Sequence, residues 1–333
     1  MARDEVGSQD TLTRGLALTR LGHLTQAEAQ FRIGIRQNLE GSYYHLGEFL
    51  QQNGRELEAA GAYLSGADRG DADSMTGIGI LRHRKGDVAG ARVWFQRAMA
   101  AGDLGASYSL AEIAAGEGNV KEAERLYRMA IAAGERQAHI QLGALFWEQE
   151  RIPEAESQYR SGILADDDEG YLYLGNLLSK TGRREEAEEA YRAAMDAGCP
   201  SAALAYGTFL AADLARSEEA IDLYLDAIDA GDCAAHNNLG ALLDELERTD
   251  DAEEEFRRGT ACGDVLAMRN LGTLLREEGR VIEAEIDLLG AAYHGDDQAA
   301  AELREMYEEG GHAERWTRVS DLVGDILHTP ESV

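Results

Sequence analysis

The dipeptide Leu46-Gly47 returns down the chain at a nearly constant step. Its counterparts are Ile78-Gly79, Leu110-Ala111, Leu142-Gly143, Leu174-Gly175, Tyr206-Gly207, Leu239-Gly240 and Leu271-Gly272. The step is 32 residues, with one of 33. Extrapolation reaches two degenerate copies, Arg14-Gly15 and Leu303-Arg304. Ten copies account for roughly 320 of the 333 residues, which leaves no room for a separate catalytic domain. A fixed period of this length implies an array of two-helix units, each stacked on its neighbours.

Each copy follows one grammar. About seven residues after the pair stands a glycine: Gly22, Gly54, Gly86, Gly118, Gly182, Gly279 and Gly311. Glycine reaches positive φ without a steric cost, so it ends the first helix and turns the chain. A small residue follows (Ala27, Ala59, Ala91, Ala123, Ala155, Ala187, Ala220, Ala252, Ala284), then a large one a helical turn later (Phe31, Tyr63, Phe95, Tyr127, Tyr159, Tyr191, Tyr224, Phe256, Leu288). A further alanine, such as Ala98 or Ala194, completes one face of a second helix. Most copies close on Gly-Asp or a variant, as at Gly70-Asp71 and Gly263-Asp264. The glycine is expected to cap the outgoing helix and the acid the incoming one. Glu150, the Leu214-Ala215 region and Glu247 replace the central glycine in three copies. Pro153 falls near the start of a second helix, where the missing N–H costs little.

These offsets resemble the tetratricopeptide repeat, and the segment from Ala91 to Gly102 also resembles the Sel1-like repeat. The resemblance covers roughly residues 8–328 and implies an all-α protein, an α-α superhelix (solenoid) of about ten two-helix repeats. The expected organisation is a short N-terminal extension over 1–7, the solenoid over 8–328 with a capping unit at about 297–328, and a tail over 329–333. Such families mostly bind other proteins.

Composition narrows the partners. The net charge of -30 argues against nucleic acid, which needs a basic footprint, and disfavours anionic membranes. It suits a basic partner, although acidity also serves plain solubility. Arginine greatly outnumbers lysine, present only at Lys85, Lys121 and Lys180, as in a GC-rich bacterial genome. Cys199, Cys233 and Cys262 sit at non-equivalent repeat positions without metal-ligand spacing and read as reduced thiols. The N-terminus lacks an apolar leader and no run of 18 apolar residues occurs, so a cytoplasmic location is expected.

No nucleophile or phosphate-loop motif stands up, and no cofactor is expected. Gly77-Ile78-Gly79 lacks a third glycine and falls on the structural glycine of its repeat, so packing is its reading. The run from Asp166 to Glu169 lacks the pattern of a calcium loop and reads as capping and solvation. His139 and His236 stand at a packing position of their first helices, and Glu185-Glu186 and Glu253-Glu254-Glu255 read as solvated outer faces.

The resemblance implies that first helices line a concave groove, at positions three and two before the repeat glycine and one, four and five after it. These positions vary freely between copies while the packing positions do not. The candidate partner-binding residues are Tyr44, His45, Arg84, Tyr108, Trp147, Tyr173, Asn176, Asn237, Asn238, Arg269 and Asn270. The aromatics are of the type that anchors interfaces. Their alternative is packing between adjacent first helices. The amides can pair with both backbone groups of an extended peptide, and Asn238 and Asn270 are equivalent positions one repeat apart. Arg269 and Arg276 can receive a carboxylate, but only parts of the family's basic clamp are present. The expected function is a non-enzymatic scaffold binding a peptide or protein segment in the groove. The alternative is a regulatory or inhibitory subunit that holds an enzyme or effector through its acidic outer face or its ends. The stripe Trp316, Val319, Val323 and Ile326 should cover the last repeat, and would offer a homodimer contact if wider than the core it covers.

Overall fold

The computed structural model describes residues 2–310, with side chains from Thr11 onward. Every regular element among the described residues is helical. The chain divides into two compact units, Met1–Gly170 and Tyr171–Val333. The first holds five helix pairs: α1 (Ala2–Arg20) with α2 (Leu24–Arg36), α3 (Ser42–Gln52) with α4 (Glu56–Ala67), α5 (Ala72–Arg84) with α6 (Val88–Ala101), α7 (Ala106–Gly116) with α8 (Val120–Ala133), and α9 (Gln137–Glu148) with α10 (Ile152–Leu164). The second continues with α11 (Glu169–Lys180) and α12 (Arg184–Asp196), α13 (Ala202–Ala211) and α14 (Ser217–Asp229), α15 (Ala234–Glu245) and α16 (Thr249–Ala261), α17 (Val265–Glu277) and α18 (Val281–Tyr293), and α19 (Asp297–Glu309). Helix α1 begins ahead of residue 8, where the repeats were expected to start. The expected final helix, with Trp316, Val319, Val323 and Ile326, lies outside the described residues.

The repeat grammar is a packing code. The nine small alanines, from Ala27 to Ala284, are all fully buried, and Phe31, Phe95, Tyr159 and Leu288 are at most 1% exposed. The repeat glycine exists because the large side chain of the same repeat lies on it. A Cβ at Gly79 would stand 2.5 Å from the Phe95 ring, and one at Gly272 would stand 2.7 Å from Leu288. Gly77 meets the Tyr63 ring in the same way, so Gly77-Ile78-Gly79 is a packing element. Central glycines such as Gly54 and Gly86 take positive φ, and Glu150 (φ 57°) and Glu247 (φ 58°) take the same conformation where glycine is absent. A single 3-10 turn, Leu214–Arg216, takes up the inserted residue before α14.

In each unit the first helices approach one another directly: α1 and α3, α3 and α5; then α13 and α15, α15 and α17, α17 and α19. Second helices make no comparable mutual contact among the described residues. The first-helix surface is therefore the inner face of each array, and the second helices form the outer one.

Candidate interaction face

On the first unit's inner face, α3 presents Tyr44. Its half-buried ring lies 6.0 Å from Tyr63 and 5.5 Å from His45, centroid to centroid. Burial pushes the Tyr44 hydroxyl up to about 12, assisted by the carboxylates of Glu48, Asp73, Asp103 and Asp71. Asp71 and Asp103 close their repeats, yet neither caps the following helix. Asp71 accepts a hydrogen bond from Ser74 Oγ (2.5 Å) and Asp103 from Thr76 Oγ1 (2.5 Å). Asp73, in the first turn of α5, is exposed as a residue, yet partial desolvation of its carboxyl and the negative charges of Asp103 and Asp71 raise it, against the opposing influence of His45. His45 stacks on Phe31 at 6.2 Å, with Nδ1 3.7 Å from Glu48. Here carboxylates face hydroxyls and one another, and no arginine or lysine pairs with Asp71, Asp73 or Asp103 among the described residues.

Further along, the Tyr108 ring meets Tyr127 edge-on at 6.0 Å. Burial pushes the Tyr108 hydroxyl up to about 12, assisted by the nearby charge of Glu112. Burial also raises the Glu112 carboxyl, against the pull of His83. Trp147 is half-buried near the end of α9, while Arg84 is exposed at the end of α5.

The second unit's inner face is occupied by its own hydrogen bonds. Asn270 Nδ2 donates to Asn237 Oδ1 (2.8 Å), Asn237 Nδ2 to Asn238 Oδ1 (3.3 Å), and Asn238 Nδ2 to Thr208 Oγ1 (3.2 Å). The buried Tyr224 hydroxyl ends on Thr208 as well (3.4 Å), and that of Tyr191 donates to Asn176 Oδ1 (2.8 Å). These amides satisfy one another and the tyrosine hydroxyls that the core pushes toward them. Asn237 is only 8% exposed, and Tyr173 is half-buried. The arginines are paired too: Arg269 with Asp296 at 2.9 Å, Arg276 with Glu305 at 3.1 Å and Glu309 at 2.8 Å. Here the closing acids do cap helices. Asp264 accepts from the Leu266 and Ala267 N–H groups, and Asp296 from that of Ala299.

Two features escaped the sequence reading. The first is a ladder of ion pairs along the outer face. Glu28 is held by Arg32 of its own helix and Arg55 of the next repeat, Glu124 by Arg128 and Arg151, Glu188 by Arg192 and Arg216, and Glu253 by Arg257 and Arg280. The arginines hold Glu28, Glu188 and Glu253 below the usual carboxylate range. A signal was present, because each glutamate directly follows the small alanine and each cross-repeat arginine stands just before a second helix. The second is a disulfide between Cys233 and Cys262, which corrects the reading of reduced thiols for this pair, while Cys199 is not disulfide-bonded. Cys233 precedes α15 and Cys262 follows α16, and the hairpin brings these ends to a Cα separation of 6.2 Å. Comparing equivalent positions between repeats overlooked that the two ends of one repeat meet.

His139 and His236 behave as packing residues, with Nδ1 3.0 Å from Gln158 and 2.7 Å from Glu255 respectively. No group of three or more His, Cys, Asp or Glu among the described residues is placed to hold a metal ion. No described helix is long and apolar enough to cross a membrane.

The ring-on-glycine helix pairs and their succession define an α-α repeat protein. Residues 12–74 and 172–235 match the tetratricopeptide repeat family. The fold is similar to that of c5321, a protective antigen of uropathogenic Escherichia coli with an SLR fold, at 21% identity and a TM-score of 0.56, covering 93% of this chain and 74% of that one. It is also similar to a Sel1 repeat protein from Oxalobacter formigenes (20% identity, TM-score 0.57, 84% of this chain and 90% of that one). A third similar fold is the human IFIT1 dimer with m7Gppp-AAAA (12% identity, TM-score 0.57, 96% and 90%). No curated protein sequence matches the chain. The fold is that of the tetratricopeptide and Sel1-like repeat solenoids, and two stretches of the chain carry the tetratricopeptide repeat itself.

Proposed function

We propose that the chain is a non-enzymatic protein-interaction scaffold that holds a segment of a partner protein on the inner face of its first unit. The observation that carries this reading is the contrast between the two inner faces. In the first unit Tyr44, Tyr108 and Trp147 are half-buried on the first helices α3, α7 and α9, and the two tyrosines lie near carboxylates without an arginine partner among the described residues. Aromatic anchors of this kind supply contact area at little entropic cost. The amides and arginines of the second unit, Asn176, Asn237, Asn238, Asn270 and Arg269, are engaged with their own neighbours, which makes that face the secondary candidate. The similar fold of IFIT1 is a dimer with m7Gppp-AAAA, but a net charge of -30 argues against an RNA partner for this chain.

A second reading has its own observation. The outer side of α18 exposes Ile282 (78%), Ile286 (66%) and Tyr293 (52%) at helical spacing, a surface suited to a regulatory subunit that grips its target near one end. A three-bait capture separates the two: the intact chain, a Tyr44→Ala/Tyr108→Ala/Trp147→Ala variant, and an Ile282→Glu/Ile286→Glu variant. Partners lost only by the aromatic variant, with helicity intact, support the inner face. Partners lost only by the isoleucine variant overturn it in favour of the outer one.

A further inference from the structure

The repeats provide an internal control for one position. Thr76 and Arg269 both stand three residues before their repeat glycine, and each reaches the acid that closes its repeat, 27 residues on. In the second unit that acid, Asp296, receives the Arg269 guanidinium at 2.9 Å. In the first unit the corresponding acid, Asp103, meets only the Thr76 hydroxyl. One repeat earlier the corresponding pair is Tyr44 and Asp71, so an aromatic ring stands where a cation stands in α17. Asp73, one helical turn before Thr76 on α5, is close enough to feel both acids. The charges that face this cluster are Glu48 and His45 on α3 and Glu40 ahead of it. His83 and Arg84 lie at the opposite end of α5.

We propose that the inner face of α3, α5 and α7 receives an arginine- or lysine-bearing segment of the partner, with its cation between Asp73 and Asp103 and against the Tyr44 ring. Charge complementarity identifies this occupant. A guanidinium forms charge-assisted hydrogen bonds to carboxylates and is attracted to an aromatic face, and this cluster offers both. The Arg269–Asp296 pair shows that the closing acid of this repeat architecture accepts a guanidinium from the inner face. The raised carboxyl of Asp73 agrees, because the negative charge of this exposed residue is disfavoured by partial desolvation and by its acidic neighbours, and an added cation relieves that repulsion. A diffuse attraction of the whole acidic chain for bases is a different matter. On the outer face the ladder glutamates Glu28, Glu124, Glu188 and Glu253 stand in arginine pairs, whereas Asp71, Asp73 and Asp103 do not.

The inference rests on the inner-face reading above, and its test separates the two. The probe is a capped hexapeptide alternating glycine and arginine, titrated calorimetrically into the full chain at physiological salt. A second peptide carries citrulline, the neutral isostere, in place of arginine. The arginine peptide is expected to bind at least tenfold more tightly than the citrulline peptide. Asp73→Asn/Asp103→Asn should lose that tenfold advantage. So should Thr76→Arg, which supplies the cation from within, as Arg269 does, and keeps the fold. Neutralising two exposed acids on the outer face, Glu185→Gln/Glu189→Gln, should change affinity less than twofold. Equal losses from inner and outer neutralisation would overturn the proposal in favour of a diffuse field. Equal affinity for both peptides, abolished by Tyr44→Ala, would overturn the cation and leave the inner face standing. Failure of the arginine peptide to bind at millimolar concentration would also overturn the cation, leaving the inner face to the capture experiment.

Discussion

The two units are built from the same repeat, yet they treat their inner faces in opposite ways. The second closes its face on itself: Asn270, Asn237, Asn238 and Thr208 form a continuous chain of hydrogen bonds, and Arg269 and Arg276 are neutralised by Asp296, Glu305 and Glu309. The first leaves Asp71, Asp73 and Asp103 to hydroxyls and to one another around Tyr44. The comparison teaches that a repeat's core does not determine what its inner residues do. Ala91 and Ala284 are equally buried, and so are Phe95 and Leu288. Only the few side chains between consecutive first helices decide whether a face is satisfied internally or left for a partner.

The comparison can be broken in three ways. The largest effect concerns the disulfide, which belongs to the second unit alone. Reducing Cys233–Cys262, which closes a loop of 29 residues, should cost that unit about 2–4 kcal/mol. Residue-resolved hydrogen exchange on the full chain should show the loss in α15 and α16, with protection in α3 to α8 unchanged. An equal loss in the first unit would mean that the units do not respond separately. Next, Arg269→Thr strips a cation from a charge-assisted hydrogen bond and should cost about 2 kcal/mol in urea unfolding. Thr76→Arg should be stabilising by about 0.5 kcal/mol, as an added and partly exposed pair. If both changes are neutral, the two acids are equivalent and the contrast fails.

The smallest effect is a pH dependence. Asp73 has a raised pKa in the folded protein, so its ionised form carries a penalty at neutral pH. That penalty disappears as pH falls through the raised value, because the folded state then binds the proton more readily than the unfolded one. Asp73→Asn should therefore gain about 0.3 kcal/mol at neutral pH, a figure discounted for the exposure of the side chain, and should lose the gain in acid. Glu28, Glu188 and Glu253 run the other way: arginines lower their pKa values, and the stability they contribute is lost as pH drops below the ordinary carboxylate range. A destabilised Asp73→Asn protein at neutral pH would sink the account of the acidic cluster.

The fold was largely legible in the sequence, because the packing residues recur with the period of the structure. The repeat glycine, the small alanine and the ring each contact their own repeat, so every copy restates the same constraint. The candidate site could be read from the sequence as a set of first-helix positions, without the neighbours each side chain meets. Tyr44, Asn238 and Arg269 were readable as first-helix positions, yet Thr208 and Asp296 had to be found some 30 residues away, one in the preceding repeat and the other at the close of the same one. Closing acids illustrate the difficulty. Asp264 and Asp103 occupy like places, but one caps its helix and the other turns to Thr76, a choice set by the side chains it meets. Likewise, the strained backbone at Glu150 and Glu247 shows that the turn conformation belongs to the repeat, with glycine only its least costly occupant.

The outer ladder records the order of the repeats. Where Glu28, Glu124, Glu188 and Glu253 stand, the next repeat answers with Arg55, Arg151, Arg216 and Arg280. Where Ala60 and Arg92 stand instead, the answering residues are Asp87 and Asn119. A chain with its repeats shuffled would retain every ring on its glycine and still fall out of step, for instance with Arg92 set against Arg151 and no carboxylate between them. Repeats with like cores are thus given addresses, because each ladder glutamate is matched by charge to the repeat that follows it.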